Sequence, residues 1–357
     1  MRGKPLLLGL KFGKLMAKEM AFRSKGASGK KGAIMREPQD LPKLALGLFP
    51  TPCYKLEAVS AKYGRTIYIK RDDLCGVAMG GNKIRKLQFL LADAKNKGCD
   101  TVFTTGSAQS NHAMLTAACA ARLGMRCVLF LKERGVTERK GNLILDDLYG
   151  AEVHFMDTDR YAQIYDKMEQ WDERLSQEGH KCCAIPVGGS TPLGSIGYVE
   201  CVDEIARQCP RVEHIVCAVG SGGTAAGLTL GAKMYLPGVR VTGVAVYDAN
   251  FEDVVPQLAE ESAALLEQPF ALEEGDFRMS ARVGPGYGIA NPQDTPLIEE
   301  LARMEGILLD PIYTGKAWAG MLDLLRKGHF NGSGPIVFVH TGGVSTLFAV
   351  ELPHESV

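Results

Sequence analysis

The chain has 357 residues and 38.6 kDa, with 46% hydrophobic and 23% charged residues. That is enough for one large α/β unit or two domains, and apolar residues recur in ordered periods that exclude disorder throughout. Lys plus Arg and Asp plus Glu each number 41, so the basic excess of a nucleic-acid binder is missing. No run of about 18 apolar residues predicts a membrane-spanning helix.

The neutral total hides an asymmetry. Residues 1–36 hold ten Lys/Arg and one acid, Glu19, which leaves 31 basic and 40 acidic side chains for residues 37–357, a net of −9. A basic, acid-poor leader over residues 1–37, weakly amphipathic from Leu6 to Phe22, suits a mitochondrial or plastid transit peptide. A disordered basic tail on a cytoplasmic protein is the alternative. The ten cysteines include no Cys-x-x-Cys pair and no Cys/His cluster with zinc spacing, so no metal is expected and reduced thiols are the simplest reading.

In chain order, a Pro-rich opening (Pro38, Pro42, Pro50, Pro52) reads as extended, and Thr66 to Lys70 alternates like a strand. Ile84, Leu87, Leu90, Leu91 and Ala94 share one face of a helix predicted over Ile84–Lys97, stopped by Gly98. A strand at Thr101–Thr104 precedes a helix from Asn111 to Leu123, with Ser110 as its N-cap. Then come a strand at Cys127–Leu131, a helix at Glu138–Tyr149, a strand at Glu152–Phe155, a long helix through Trp171 and a strand at Cys183–Val187. A helix over Gly194–Gln208, a strand at His214–Val219, a helix over Thr224–Tyr235 and a strand at Val239–Val246 continue the rhythm. Ile336–Val339 is a last strand running through Thr341-Gly342-Gly343 into a final helix. Strands alternating with helices predict an α/β fold with parallel pairing and helices on both faces; residues 86–190 read as a smaller sheet of their own.

Ligands in such sheets sit beyond the carboxyl ends of the strands, so the loops entering helices are where chemistry is expected. In Gly80-Gly81-Asn82-Lys83 two glycines let the backbone bend and approach a ligand, and a lysine at a helix N-terminus loses some of its protonated form. A free amine is what Schiff-base chemistry requires, although an ordinary exposed lysine is the plainer reading. Gly220-Ser221-Gly222-Gly223-Thr224 follows an apolar strand and presents backbone N–H groups to an anion such as phosphate. Gly220, Gly222 and Ala225 also fit a dinucleotide fingerprint, with Asp248 in place of the ribose acid, which keeps a nicotinamide-linked oxidoreductase open. Gln109-Ser110-Asn111-His112 offers a carboxylate cradle, with His112 read as structural. Gly286-Tyr287-Gly288 and Tyr313-Thr314-Gly315-Lys316 add two tyrosines with little packing reason to be there.

Taken together, Lys70-Arg71-Asp72-Asp73-Leu74, Gly80 to Lys86, Gln109 to His112, Gly188-Gly189-Ser190 through Gly197-Tyr198, Gly220 to Thr224, Tyr313 to Lys316 and His340-Thr341-Gly342-Gly343 resemble the pyridoxal-phosphate enzymes of the D-cysteine desulfhydrase and 1-aminocyclopropane-1-carboxylate deaminase family. The resemblance spans residues 38–350 and implies the tryptophan-synthase-β-like fold, fold type II. It implies two parallel-sheet α/β domains, residues 38–85 plus 191–357 and residues 86–190, in a homodimer with the cofactor pyridoxal 5'-phosphate between them. By the same resemblance Lys83 is the Schiff-base lysine and Gly220, Ser221, Gly222, Gly223 and Thr224 are the phosphate cup. Asn111 contacts the cofactor's 3-hydroxyl, with Thr341 beside the ring. Ser110 stands by the substrate carboxylate with Gln109 and Asn111, and Tyr287 and Tyr313 are the active-site tyrosines. Thr314 and Thr341 stand where deaminase-type members carry glutamate and leucine, which points to the desulfhydrase. The expected reaction is β-elimination of D-cysteine, or a close analogue, to pyruvate, ammonia and hydrogen sulfide. The deaminase is the alternative within the family; a non-catalytic pyridoxal-phosphate-binding protein is an alternative outside catalysis.

Overall fold

A computed structural model describes residues 35–133 and 137–353. The leader through residue 34, and with it the transit-peptide expectation, lies outside the described residues. The chain begins with β1 (Cys53–Lys55), α1 (Glu57–Tyr63), β2 (Ile67–Arg71) and α2 (Lys83–Asn96). It continues through β3 (Thr101–Ser107), α3 (Asn111–Arg122), β4 (Arg126–Lys132), α4 (Asn142–Leu148), β5 (Glu152–Met156), α5 (Tyr161–Gln177) and β6 (Cys182–Ala184). It returns through α6 (Pro192–Gln208), β7 (His214–Val219), α7 (Gly223–Tyr235), β8 (Arg240–Ala245), α8 (Phe251–Leu265) and β9 (Phe277–Ala281). α9 (Thr295–Glu305), α10 (Thr314–Arg326) and β10 (Ile336–His340) complete it.

Six strands form one sheet in the order β1-β2-β10-β7-β8-β9 and four form another in the order β5-β4-β3-β6. Every pairing is parallel except β1 with β2. Strand β7 shows why the larger sheet needs helices on both faces. Ile215, Cys217 and Val219 enter a core with α6, α7 and α8, while Val216 and Ala218 enter a second core with α9 and α10. In the smaller sheet Val102, Cys127, Leu129 and Leu131 pack on α2 and α3, and Phe103, Val128 and Phe130 pack on α5. Helix α2 belongs to both: Ile84, Leu87 and Leu91 join the core of the smaller sheet and Phe89 joins that of the larger.

An ionic cluster is buried where α2 meets β2 and α6. The Arg85 guanidinium donates to Asp72 Oδ2 (2.8 Å) and Oδ1 (2.9 Å) and to Glu204 Oε1 and Oε2 (both 2.8 Å). Lys70 Nζ donates to Glu204 Oε2 at 2.5 Å, and the Tyr198 hydroxyl to Asp72 Oδ2 at 2.6 Å. Burial alone would raise the Asp72 carboxyl, but Arg85 outweighs it and holds the group below its ordinary value.

From β2 to β8 the predicted strands and helices are present, most of them within a few residues of their predicted bounds; β1 and α1 have no predicted counterpart, α5 runs past Trp171 to Gln177, and the helix expected from Glu138 begins at Asn142, after Gly141 at φ 51°. The last expected helix is instead a 3-10 turn over Val344–Phe348. Its β-branched Val344 and Thr346 and the nearby Pro353 leave no room for an α-helix. Four elements between 251 and 326 have no predicted counterpart. Pro256 falls inside α8, β9 is a half-exposed edge strand that packs only Phe277 and Met279 on the core, and α9 and α10 follow one another with no strand between them.

Asp146 on α4 is fully buried, and neither carboxylate oxygen finds a hydrogen-bond partner among the described residues. Burial, aided by Asp147, pushes its carboxyl up to about 8. The folded chain therefore keeps a proton that the unfolded chain releases, so stability falls as pH rises from about 4 to about 8 and levels off above. Asp146→Asn is expected to flatten that slope and to melt higher than the parent by a margin that widens over this range, as read by thermal unfolding across pH.

Candidate active site

The loop after β2 is shaped by close backbone contact. Gly80 takes φ +70°, and a Cβ there would sit 1.8 Å from the Asp73 carbonyl oxygen. Gly81 bridges Gly342, where a Cβ would come within 2.7 Å of the Gly81 Cα. Gly81 N–H donates to the Asp72 carbonyl (2.9 Å) and Asn82 N–H to that of Thr341 (3.0 Å), so the turn after β10 and the turn before α2 hold each other. Lys83 opens α2 from this clamp. Its Nζ donates to Asn82 Oδ1 at 3.0 Å, and burial lowers the amine to about 8. The depression that the sequence suggests is present; its cause is burial, where helix position was expected.

Opposite lies the loop between β7 and α7. The strand order switches sides here, because β7 is flanked by β8 on one side and by β10 on the other, all running parallel. Helix α7 has Gly222 at its N-cap and no capping side chain, so its first turn leaves backbone N–H groups directed at the cleft. Beside it stands a residue that sequence reading misses. Lys86 is fully buried, and its Nζ donates only to neutral acceptors, Gly188 O (3.1 Å) and Ser190 Oγ (3.2 Å). A Cβ on Gly223 would fall 2.9 Å from that Nζ. Burial first, and Lys83 second, push Lys86 far below the ordinary lysine value. Two lysine amines with no carboxylate partner, beside the uncapped first turn of α7, make a site that favours negative charge. An anion of phosphate size fits it, and would restore the charge on Lys86. Lys86 lies three residues after Lys83 on the same helical face, the one signal that could have marked it.

The third wall comes from the end of β3, where the order also switches sides, since β4 and β6 flank β3 on opposite sides. Ser110 caps α3, its Oγ accepting from Ala113 N–H at 3.2 Å. Asn111 and Ser110 line one cleft together with Lys83, Gly220, Ser221, Gly222, Thr224, Tyr287, Tyr313 and Thr341. The Tyr287 and Tyr313 hydroxyls meet at 2.7 Å. His112 also lines the cleft, but its Nε2 lies 2.8 Å from Thr104 Oγ1 and burial pushes it far down, a neutral structural imidazole.

Three expected site residues are disposed differently. Gly223 lies behind the cleft wall, its N–H donating to Ser190 Oγ at 3.2 Å. Gln109 turns to α4, where its Oε1 accepts from Asn142 N–H at 2.9 Å. Thr314 is fully buried, and its Oγ1 donates to Asp310 Oδ1 at 2.6 Å. Of the two threonines expected to discriminate substrate, therefore, only Thr341 faces the cleft.

A family model for pyridoxal-phosphate dependent enzymes matches residues 44–342. D-cysteine desulfhydrase of Salmonella schwarzengrund (strain CVM19633) is 43% identical over 324 residues, which cover 88% of this chain and 97% of that protein. The protein of the same name from Salmonella choleraesuis (strain SC-B67) is 42% identical over the same length. A crystal structure described as that of an ACC deaminase homologue superposes with a TM-score of 0.82 at 39% identity, covering 87% of this chain and 94% of the other. These likenesses, on a tryptophan-synthase-β-like α/β fold, set aside the nicotinamide reading of the Gly220 loop; Asp248 does not line the cleft. With the glycine cup, the buried amines and the family match in agreement, the chain belongs to the pyridoxal-phosphate-dependent enzyme family.

Proposed function

We propose that this chain is a lyase that converts D-cysteine and water to pyruvate, ammonia and hydrogen sulfide. The observation that carries the reading is the meeting, in one cleft, of a lowered Lys83 amine, an anion cup and a hydroxyl pair; the desulfhydrase relatives supply the substrate class. Gly220, Ser221, Gly222 and Thr224, with Lys86, would hold the cofactor phosphate, Lys83 its aldehyde carbon, and Asn111 its ring hydroxyl. Pyridoxal phosphate, when bound, supplies an electron sink that stabilises negative charge at the substrate Cα.

The Ser110 and Asn111 cradle binds the substrate carboxylate and so orients the Cα–H bond. With the cofactor bound, the Lys83 amine, when free, would take the Cα proton. The paired hydroxyls of Tyr287 and Tyr313 deliver a proton to the departing sulfur. Tyr313 keeps its proton because burial raises its phenol well above the ordinary value, with Tyr287 adding to the effect. The deaminase alternative is favoured by one likeness, the solved ACC deaminase homologue; a hydroxyl-bearing Thr341 at the cleft, where deaminase-type members carry leucine, favours the desulfhydrase. The sheets support a division into residues 38–85 plus 191–357 and residues 86–190, with α2 straddling the boundary. Family likeness supports a homodimer, which light scattering on the purified protein tests.

Sulfide and pyruvate are expected in equal amounts from D-cysteine; 2-oxobutyrate from 1-aminocyclopropane-1-carboxylate without sulfide from D-cysteine would overturn the reading. Thr341→Leu is expected to lower sulfide release, while Thr314→Glu is expected to act mainly on stability because of its buried site. Covalent capture of cofactor by the apoprotein is expected to quicken with pH and level off above about 8, as the Lys83 amine loses its proton; Lys83→Ala abolishes capture and turnover. Lys86→Met is expected to weaken binding of pyridoxal phosphate by roughly 10–100-fold and that of unphosphorylated pyridoxal far less, as read by fluorescence titration.

A further inference from the structure

We infer that Asn142, fully buried on α4 and outside the cleft, is a positioning residue that fixes which end of the Asn111 amide faces the cofactor. The inference rests on the proposed role of Asn111, and it follows from what each hydrogen-bonding atom is able to do. One terminal atom of the Asn142 side chain lies 2.9 Å from the Gln109 backbone carbonyl. A carbonyl oxygen only accepts, so that atom is the amide nitrogen. The same nitrogen lies 2.8 Å from a side-chain atom of Asn111, which must then be oxygen. The Asn111 amide nitrogen is thereby turned the other way, to within 3.0 Å of where a Cβ on Gly343 would sit, at the turn that ends β10. Among the described residues no acceptor takes its hydrogens, and Asn111 lines the cleft.

Asn142 is itself over-determined. Its Oδ1 accepts from Ser345 Oγ at 2.6 Å, and its backbone N–H donates to Gln109 Oε1 at 2.9 Å. Ser345 is buried in the 3-10 turn after β10. Three segments far apart in sequence, at 109–111, 142 and 345, thus set a single amide so that it presents a donor, and only a donor, to a ring oxygen. The geometry also gives the expected Gln109 a place: it caps α4 and aims Asn142, and so acts on the site through two other side chains.

An aspartate at 142 keeps the shape but only accepts. It would draw the Asn111 nitrogen towards itself and leave an oxygen facing the ring hydroxyl. In the full-length holoenzyme, Asn142→Asp is expected to shift the visible absorption band of the bound cofactor and to weaken its binding about tenfold, the worth of one charge-assisted donor. Ser345→Ala, a milder change, is expected to weaken it about two- to fivefold. Asn111→Ala should match the loss in Asn142→Asp, and the double variant should be no worse than Asn111→Ala alone, because one residue acts through the other. Circular dichroism and melting of each apoprotein control for folding. A folded Asn142→Asp protein with an unshifted band and parental affinity would overturn the inference, as would a full second loss in the double variant. If Asn111→Ala leaves band and affinity untouched, the proposed placement of the cofactor fails and takes this inference with it; if Asn111→Ala is impaired and Asn142→Asp is not, only the inference falls.

Discussion

Arg85 is the fastening on which the site depends. It is clamped between Asp72, at the end of β2, and Glu204, on α6, with all three groups withdrawn from water. Such a pair contributes little net stability, since desolvation offsets most of the attraction, but removing one partner strands a buried charge at a cost of about 3–5 kcal/mol. What it secures is position. Arg85 follows Lys83 by two residues, and Asp72 also receives the N–H of Gly81 at its carbonyl. One ion pair therefore registers the first turn of α2 against the strand and the glycine turn that deliver the reactive amine.

The same helix turn shows how charge is sorted by purpose. Residues 83, 85 and 86 are all basic, with Arg85 and Lys86 fully buried and Lys83 partly so. Arg85 meets two carboxylates and stays charged, while Lys83 and Lys86 meet only amide, carbonyl and hydroxyl groups, and burial holds both amines below their ordinary values. A helix that pairs one of its basic groups and leaves two unanswered on the adjacent face favours an incoming negative charge, which would let the amines regain their protons. That preference falls where the bare N–H groups of α7 begin, so the two sheets meet across a site that is electrically incomplete without its ligand.

Much of this was legible from residues alone. Strands β7 and β10 read clearly because both of their faces are buried, and the glycine turns read clearly because few functions other than close approach require glycines at a strand's carboxyl end. The stretch from 251 to 326 was not legible, because the alternation of strand and helix breaks there: Pro256 falls inside α8, and α9 and α10 follow β9 with no strand between them. Within the site, residues whose chemistry is intrinsic (Lys83, the glycine cup, the tyrosines) were visible in advance. Those whose importance lies in contact were not: Lys86 needs the loop at Gly188 beside it, and Asn142 needs Gln109 and Ser345. Thr314 illustrates the reverse error of expectation. Its place in a motif says nothing of rotamer, and the buried Asp310 holds its hydroxyl away from the cleft.

Strand β10 lies in the middle of the larger sheet, between β2 and β7, yet it is the last strand to be synthesised, at residues 336–340. Until it leaves the ribosome, β2 and β7 have no common neighbour and the turn at Thr341 and Gly342 cannot brace the one at Gly81. The growing chain thus holds Lys83 on an unfinished scaffold, and the geometry around that amine is complete only when the C-terminal strand slots into the gap left for it.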